Sequence, residues 1–225
     1  FSGIFGWSSK NQYESELVKG EEKYAEVFKQ LVRTKESNYE DYIPLLDLVD
    51  KEEAIDAGRR LFMQNCSICH GPDAKGGNGF PNLTNFDWLY GGNIDNIKTT
   101  LIYGRVGAMP GWLENLGPEK IDRVIDYIYD LNGRRVNAND SNEGKEVFET
   151  NCSICHGLDA KGMQNIGAPN LTNKIWLYGG SRKALTQTLY YGRNGIMPAF
   201  IDTLGEDKIN LLAAYVYSLR FNEDK

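Results

Sequence analysis

Two pentapeptides hold every cysteine and every histidine of this 225-residue chain: Cys66-Ser67-Ile68-Cys69-His70 and Cys152-Ser153-Ile154-Cys155-His156. No thiol is left for a disulfide and no imidazole for a separate metal site. C-x-x-C-H is the attachment pattern of a c-type haem: two cysteine sulfurs bond the vinyl groups and the adjacent histidine ligates the iron from one face. One copy alone could be a zinc or redox pair that happens to precede a histidine. Two copies inside a long internal repeat argue against that, and the chain reads as a dihaem cytochrome c with two covalently bound haem c groups.

Each iron then needs a ligand opposite its histidine. Bis-histidine ligation is ruled out because both histidines are used. Of the four methionines, Met109 and Met197 occupy equivalent positions, 39 and 41 residues after His70 and His156, and each precedes a proline. Proline fixes the backbone and disfavours helix at the residue before it. The expected iron ligands are therefore His70 with Met109, and His156 with Met197. Met63 aligns with Glu149 and Met163 with Gly77, so neither is expected to ligate. A thioether opposite an imidazole favours ferrous iron and raises the potential. Such a haem suits electron transfer and leaves no vacant position for substrate chemistry. Arg105 and Arg193 lie four residues before the methionines; each either pairs with a haem propionate through its planar fork or is a surface arginine in a glycine turn. Trp88 and Trp176 either donate an indole N–H to a propionate or form an aromatic wall against the haem.

The elements that position these residues come in duplicate. Gly58, Phe62, Cys66 and His70 recur 86 residues later as Gly144, Phe148, Cys152 and His156. After a two-residue insertion, Pro81-Asn82-Leu83-Thr84 recurs as Pro169-Asn170-Leu171-Thr172, and Trp88-Leu89-Tyr90-Gly91-Gly92 as Trp176-Leu177-Tyr178-Gly179-Gly180. Residues 52–65 read as a helix leading into the first motif. Ile121, Val124, Ile125, Ile128 and Leu131 form one apolar helical stripe ending before Gly133, matched by Ile209, Leu212, Ala213, Val216 and Leu219. Gly58 and Gly144 permit a close helix crossing, expected between the first and last helices of each repeat, with Tyr127 and Tyr215 on the phenylalanines. The Gly-, Asn- and Pro-rich spans between are expected to be loop over the haem. Residues 10–34 read as a separate helix begun by a capping box at Ser9 and Gln12, and Tyr39–Asp50 as a connector.

Composition adds exclusions. The net charge of −6 sits mostly in residues 1–53, where 12 acidic and 7 basic side chains give −5. No basic patch argues for nucleic acid. That acidic segment is either a solvated helix face or a steering surface for a basic partner. No run of 18 apolar residues is present. The chain opens at Phe1 on an apolar, aromatic stretch, which suggests a cleaved signal or a missing upstream anchor. Haem is attached to such motifs outside the cytoplasm, so a periplasmic location is expected.

The residues G-F-P-N-L-T-x-x-x-W-L-Y-G-G of copy one and G-R-x-G-x-M-P of both copies resemble the dihaem cytochrome c subunit (subunit III) of cbb(3)-type cytochrome c oxidases, and the resemblance runs through both repeats, roughly residues 54–220. Gly6-Trp7-Ser8-Ser9 with Gln12-Tyr13-Glu14 resembles the segment that follows that subunit's single membrane helix. The resemblance implies an N-terminal membrane anchor missing here, with both lobes on the periplasmic side of the bacterial inner membrane. It implies electrons accepted from a soluble cytochrome c and passed through a monohaem subunit to the haem-copper catalytic subunit that reduces oxygen. The chain would be an electron-transfer subunit of the respiratory chain and no enzyme on its own. It implies the same ligand pairs given above. Copy two departs at Gly167-Ala168-Pro169, where copy one has Gly79-Phe80-Pro81, and in its two-residue insertion. The expected fold is all-α: two tandem class I cytochrome c domains, 54–138 and 139–225, behind an N-terminal helical extension, 1–53. Two other functions compete. A free periplasmic dihaem carrier similar to c4-type cytochromes has the same ligation. A dihaem peroxidase needs an open distal side and proton-transfer groups, and no distal histidine is available.

Overall fold

The computed structural model describes residues 44–221; the expected helix at 10–34 and the first part of the connector, 39–43, lie outside the described residues. A short 3-10 helix, Leu45–Asp50, precedes α1, Glu52–Asn65, and the one-turn α2, Ser67–His70. Then come α3, Ile94–Tyr103; strand β1, Arg105–Met109; and α4, Leu113–Leu131. The second repeat follows as α5, Ala138–Asn151; α6, Ser153–His156; α7, Arg182–Tyr191; β2, Arg193–Met197; and α8, Ile201–Ser218. The predicted helices at 52–65, 121–131 and 209–219 are present, and Gly133 (φ 68°) stands just past the end of α4. Both α4 and α8 begin with a separate turn broken by a left-handed glycine, Gly117 or Gly205. Pro118 starts the long part of α4, a position where the missing N–H has no cost.

The repeats in sequence are not the packed units in space. The helix crossing expected within each repeat occurs between repeats. One unit packs α1 and α3 against α8: Ala54, Ala57, Phe62, Ile97 and Leu101 share a core with Ile209, Leu212 and Val216. The other packs α5 and α7 against α4, with Leu185 and Leu189 in a core with Ile121, Val124 and Ile125. Phe62 meets Tyr215 at 5.6 Å between ring centroids, and Phe148 meets Tyr127 at 5.3 Å. The lobes expected at 54–138 and 139–225 are thus repeats whose C-terminal thirds have changed places. Gly58 and Gly144 serve these exchanged crossings. A Cβ on Gly58 would strike the Leu211 carbonyl and the Tyr215 Cβ; one on Gly144 would strike the Arg123 carbonyl. Ion pairs follow the same exchange. Lys98 on α3 reaches Glu206 on α8 at 2.9 Å, and Arg123 on α4 reaches Asp140 and Glu143 on α5 at 2.8 and 3.2 Å. Arg182 on α7 pairs with Asp122 and the buried Asp126 on α4.

The exchange has two physical causes. Only six residues, Asn132–Asn137, join α4 to α5, and short connections make antiparallel neighbours. The chain also crosses between units as an antiparallel ribbon, β1 with β2, centred on Gly107 opposite Gly195. These strands are an addition to the all-helical expectation. Gly104 and Gly192, both at positive φ, admit the opposite strand's end: a Cβ there would strike the Met197 or Met109 carbonyl.

Candidate functional site

Each C-x-x-C-H forms a single helical turn that continues α1 or α5. His70 N–H bonds the Cys66 carbonyl at 2.9 Å, and His156 N–H the Cys152 carbonyl at 3.0 Å. Gly71 and Gly157, at φ 77° and 76°, end these turns. The following loop returns beneath the imidazole. Gly76 N–H bonds the His70 carbonyl and Leu83 N–H the Ala74 carbonyl, both at 2.8 Å, with the same pair at Gly162 and Leu171. The Asn82 side chain accepts from both the backbone N–H and the hydroxyl of Thr84, and Asn170 does so for Thr172.

This loop fixes the ligands. Nδ1 of His70 lies 3.0 Å from the Pro81 carbonyl, and Nδ1 of His156 lies 3.1 Å from the Pro169 carbonyl. With Nδ1 donating to a carbonyl, Nε2 carries the lone pair a metal needs. Burial lowers the pKa of both histidines, opposed by those carbonyl bonds, so the rings are neutral. Cys66 and Cys152 are buried while Cys69 and Cys155 are exposed. Burial, then repulsion from the second cysteine, pushes the Cys66 and Cys152 thiols up to about 11, so they are neutral at pH 7. Among the described residues no group of three His, Cys, Asp or Glu side chains gathers around a common point, as a closed zinc site would require. Two thiols, one imidazole with free Nε2 and a nearby thioether fit a covalently attached haem.

The thioethers come from the exchanged strands. Met197 packs on the core that contains Cys66, Leu83 and Trp88. Met109 packs on the core that contains Leu185 and Leu189, on which Trp176 also packs. Trp176 also joins the cluster of Cys152 and Leu171. Met109 therefore packs with the core of α4 and α7, and Met197 with that of α1, α3 and α8, whereas chain order had set Met109 with His70 and Met197 with His156. The cause is the ribbon, which carries each methionine across before the chain turns back.

Trp88 donates its indole N–H to the Asn85 carbonyl at 2.8 Å, so that donor is engaged within its own loop. Trp176 also packs against apolar neighbours. The arginines are held in place. Arg105 Nε donates to Thr100 Oγ1 at 2.9 Å, and Arg193 Nε donates to Thr188 Oγ1 at 2.9 Å. The guanidiniums lie over the Tyr90 and Tyr178 rings at 4.6 and 4.3 Å. In the ladder Arg105 is directly opposite Met197, and Arg193 opposite Met109. Sequence reasoning gave no role to Tyr90, Tyr178 or the Pro81 and Pro169 carbonyls. Their signal was present in the repeated Pro-Asn-Leu-Thr and Leu-Tyr-Gly-Gly segments.

A mostly helical, duplicated fold that presents two C-x-x-C-H turns, each with a carbonyl-anchored histidine and a Met-Pro from the far strand, is that of a c-type cytochrome of electron transport. The family described as "Cytochrome C oxidase, cbb3-type, subunit III" matches residues 53–128 and again 139–216. The chain is 40% identical over 218 residues to the cbb3-type cytochrome c oxidase subunit CcoP of Rubrivivax gelatinosus, covering 96% of this chain and 68% of that protein. It is 36% identical to CcoP of Cereibacter sphaeroides (97% and 77% covered) and 36% identical to subunit FixP of Rhizobium meliloti strain 1021 (96% and 76% covered). The chain belongs to the subunit III family of cbb3-type cytochrome c oxidases. No helix among the described residues is long and apolar enough to cross a membrane.

Proposed function

We propose that this chain carries two haem c groups and relays electrons into a cbb3-type oxidase. One haem would be bound by Cys66 and Cys69 with His70 and Met197 on the iron, the other by Cys152 and Cys155 with His156 and Met109. The single observation that carries this reading is that each motif turn shares its packed unit with a Met-Pro from the opposite repeat. When bound, such a group supplies a one-electron couple. The residues supply the rest. The Pro81 and Pro169 carbonyls hold the imidazoles, the methionines would supply the second iron ligand, and Trp88 and Trp176 would pack beside the group. Arg105 and Arg193, positioned by Thr100 and Thr188, place a positive charge beside each methionine and are the candidate propionate partners.

The donor would be a soluble periplasmic cytochrome c, and the acceptors the monohaem subunit and then the haem-copper catalytic subunit. The chain itself would perform no oxygen chemistry. It would sit on the periplasmic face of the inner membrane, tethered by a helix preceding Phe1. Potentiometric titration with covalent haem counting tests the dihaem core of this reading. The expected result is two haems of positive potential, each showing the charge-transfer band of thioether-ligated ferric haem. A high-spin component that reacts rapidly with peroxide would overturn it. In cells, loss of the chain is expected to abolish cytochrome c-dependent oxygen uptake by washed membranes. Full retention of that uptake, with the chain in the soluble fraction, would make it a free carrier.

A further inference from the structure

The two repeats meet at a seam that the proposed electron relay does not itself use. Tyr90 lies in the first repeat, half-buried. Its hydroxyl donates to the Val106 carbonyl at 3.4 Å, and its ring supports the Arg105 guanidinium. The ring edge fills the space where a Cβ on Gly167 would stand, and Gly167 is at φ 71°. Gly167 belongs to the loop beneath the other histidine. Two residues on, the Pro169 carbonyl accepts from His156. The same loop is tied to the first repeat once more, by Gln164 Nε2 donating to the Trp88 carbonyl at 3.2 Å.

The arrangement is repeated with the roles reversed. Tyr178, in the second repeat, supports Arg193 and stands 3.3 Å from the Cβ position of Gly79. Gly79 N–H bonds the Leu177 carbonyl at 2.8 Å, and two residues later the Pro81 carbonyl accepts from His70. The two tyrosines therefore make the same contact at two separate places, each on the histidine loop of the opposite repeat. The bond to Nδ1 sets the orientation and basicity of a ligating imidazole. A shift in the loop is a shift in that bond.

We propose that Tyr90 and Tyr178 are positioning residues acting across the repeats: Tyr90 sets the Gly167–Pro169 loop that orients His156, and Tyr178 sets the Gly79–Pro81 loop that orients His70. Each tyrosine also carries the arginine opposite the methionine of its own repeat's unit. One side chain thus touches the methionine side of one haem site and the histidine side of the other, and the two sites do not have independent potentials. The inference rests on the reading that both imidazoles ligate haem iron.

The test uses the haem-loaded chain in a Cys69→Ala background, whose single remaining thioether moves the first haem's visible band to longer wavelength and separates the two signals. Tyr90→Ala is expected to shift the midpoint potential of the Cys152/Cys155 haem more than that of the tagged haem. Tyr178→Ala is expected to do the reverse. Tyr90→Phe, which keeps the ring on Gly167, should restore the starting values. If Tyr90→Ala fails to load haem, Gly167→Ala disturbs the same contact from the loop side and is read in the same way. A shift confined to the haem of the tyrosine's own repeat, or no shift, overturns the inference. Covalent haem is counted by mass in every sample. Two haems without a cross-repeat shift refute the inference alone, whereas fewer than two in the parent chain refute the ligation reading beneath it.

Discussion

The exchange of helices between repeats makes a quantitative prediction about two aromatic pairs. Phe62 is fully buried and Tyr215 nearly so, with their rings 5.6 Å apart and tilted by 57°. Aromatic pairs of this geometry contribute about 0.5–1.5 kcal/mol beyond the area they bury. Phe62→Leu and Tyr215→Leu, chosen to keep apolar volume, are each expected to cost roughly 1–3 kcal/mol. Combined, they should cost about 1 kcal/mol less than the sum of the singles. For a domain of this size that coupling corresponds to roughly 2–4 °C in Tm. Phe62 and Tyr127, neighbours if each repeat folded on itself, lie in different cores and should be additive to within ~0.3–0.5 kcal/mol. The assay is guanidinium unfolding of the oxidised, fully haem-loaded chain, followed by far-ultraviolet and Soret circular dichroism. Coupling between Phe62 and Tyr127, with none between Phe62 and Tyr215, would refute the exchanged packing.

Other expectations follow from the same geometry. A protease site inserted between Arg135 and Val136, in the six-residue connection, should give two fragments that still co-elute on native size exclusion, because each unit contains helices from both; fragments that separate without denaturant would contradict this. Gly144→Ala forces a Cβ to within 3.0 Å of the Tyr127 Cβ and onto the backbone of α4. Overpacking against an unyielding backbone should destabilise by roughly 2 kcal/mol despite the better helix propensity of alanine. Gly77→Ala, which meets nothing within 4 Å, is the neutral control in the same unfolding assay. Burial and then Glu206 raise the pKa of Asp207, with Lys98 opposing. A carboxyl whose folded pKa lies above its unfolded value gives stability that is complete at low pH and falls as pH rises through the folded pKa. Asp207→Asn should therefore stabilise the chain at pH 7 and lose that advantage below pH ~4; a gain that persists at low pH would mean that the carboxyl's charge is not the cause.

Much of this was legible in the residues, for reasons that also mark the limit. The motif turns are fixed by covalent chemistry, and the stripes Ile121–Leu131 and Ile209–Leu219 by helical periodicity, so both were readable locally. Which stripe meets which glycine was not. Gly58-x-x-x-Phe62 and Gly144-x-x-x-Phe148 present the same surface, and Tyr127 and Tyr215 the same complement. Two equivalent interfaces leave the choice to connection length and to the ribbon. The ribbon was invisible because Arg105–Met109 and Arg193–Met197 each carry a central glycine, which weakens a strand pattern. The indole bond from Trp88 to the Asn85 carbonyl was equally hidden, because spacing alone does not require a contact three residues away.

The crossing also fixes the order in which the molecule can be finished. A chain emerging from its N-terminus completes its second unit when α7 arrives to meet α4 and α5. The first unit waits for α8, which covers Phe62 and Leu101 and belongs to the last 25 residues. Of the two units, the one begun first is closed last. A truncation within α8 would accordingly spare the nearer motif, at Cys152–His156, and expose the distant one at Cys66–His70.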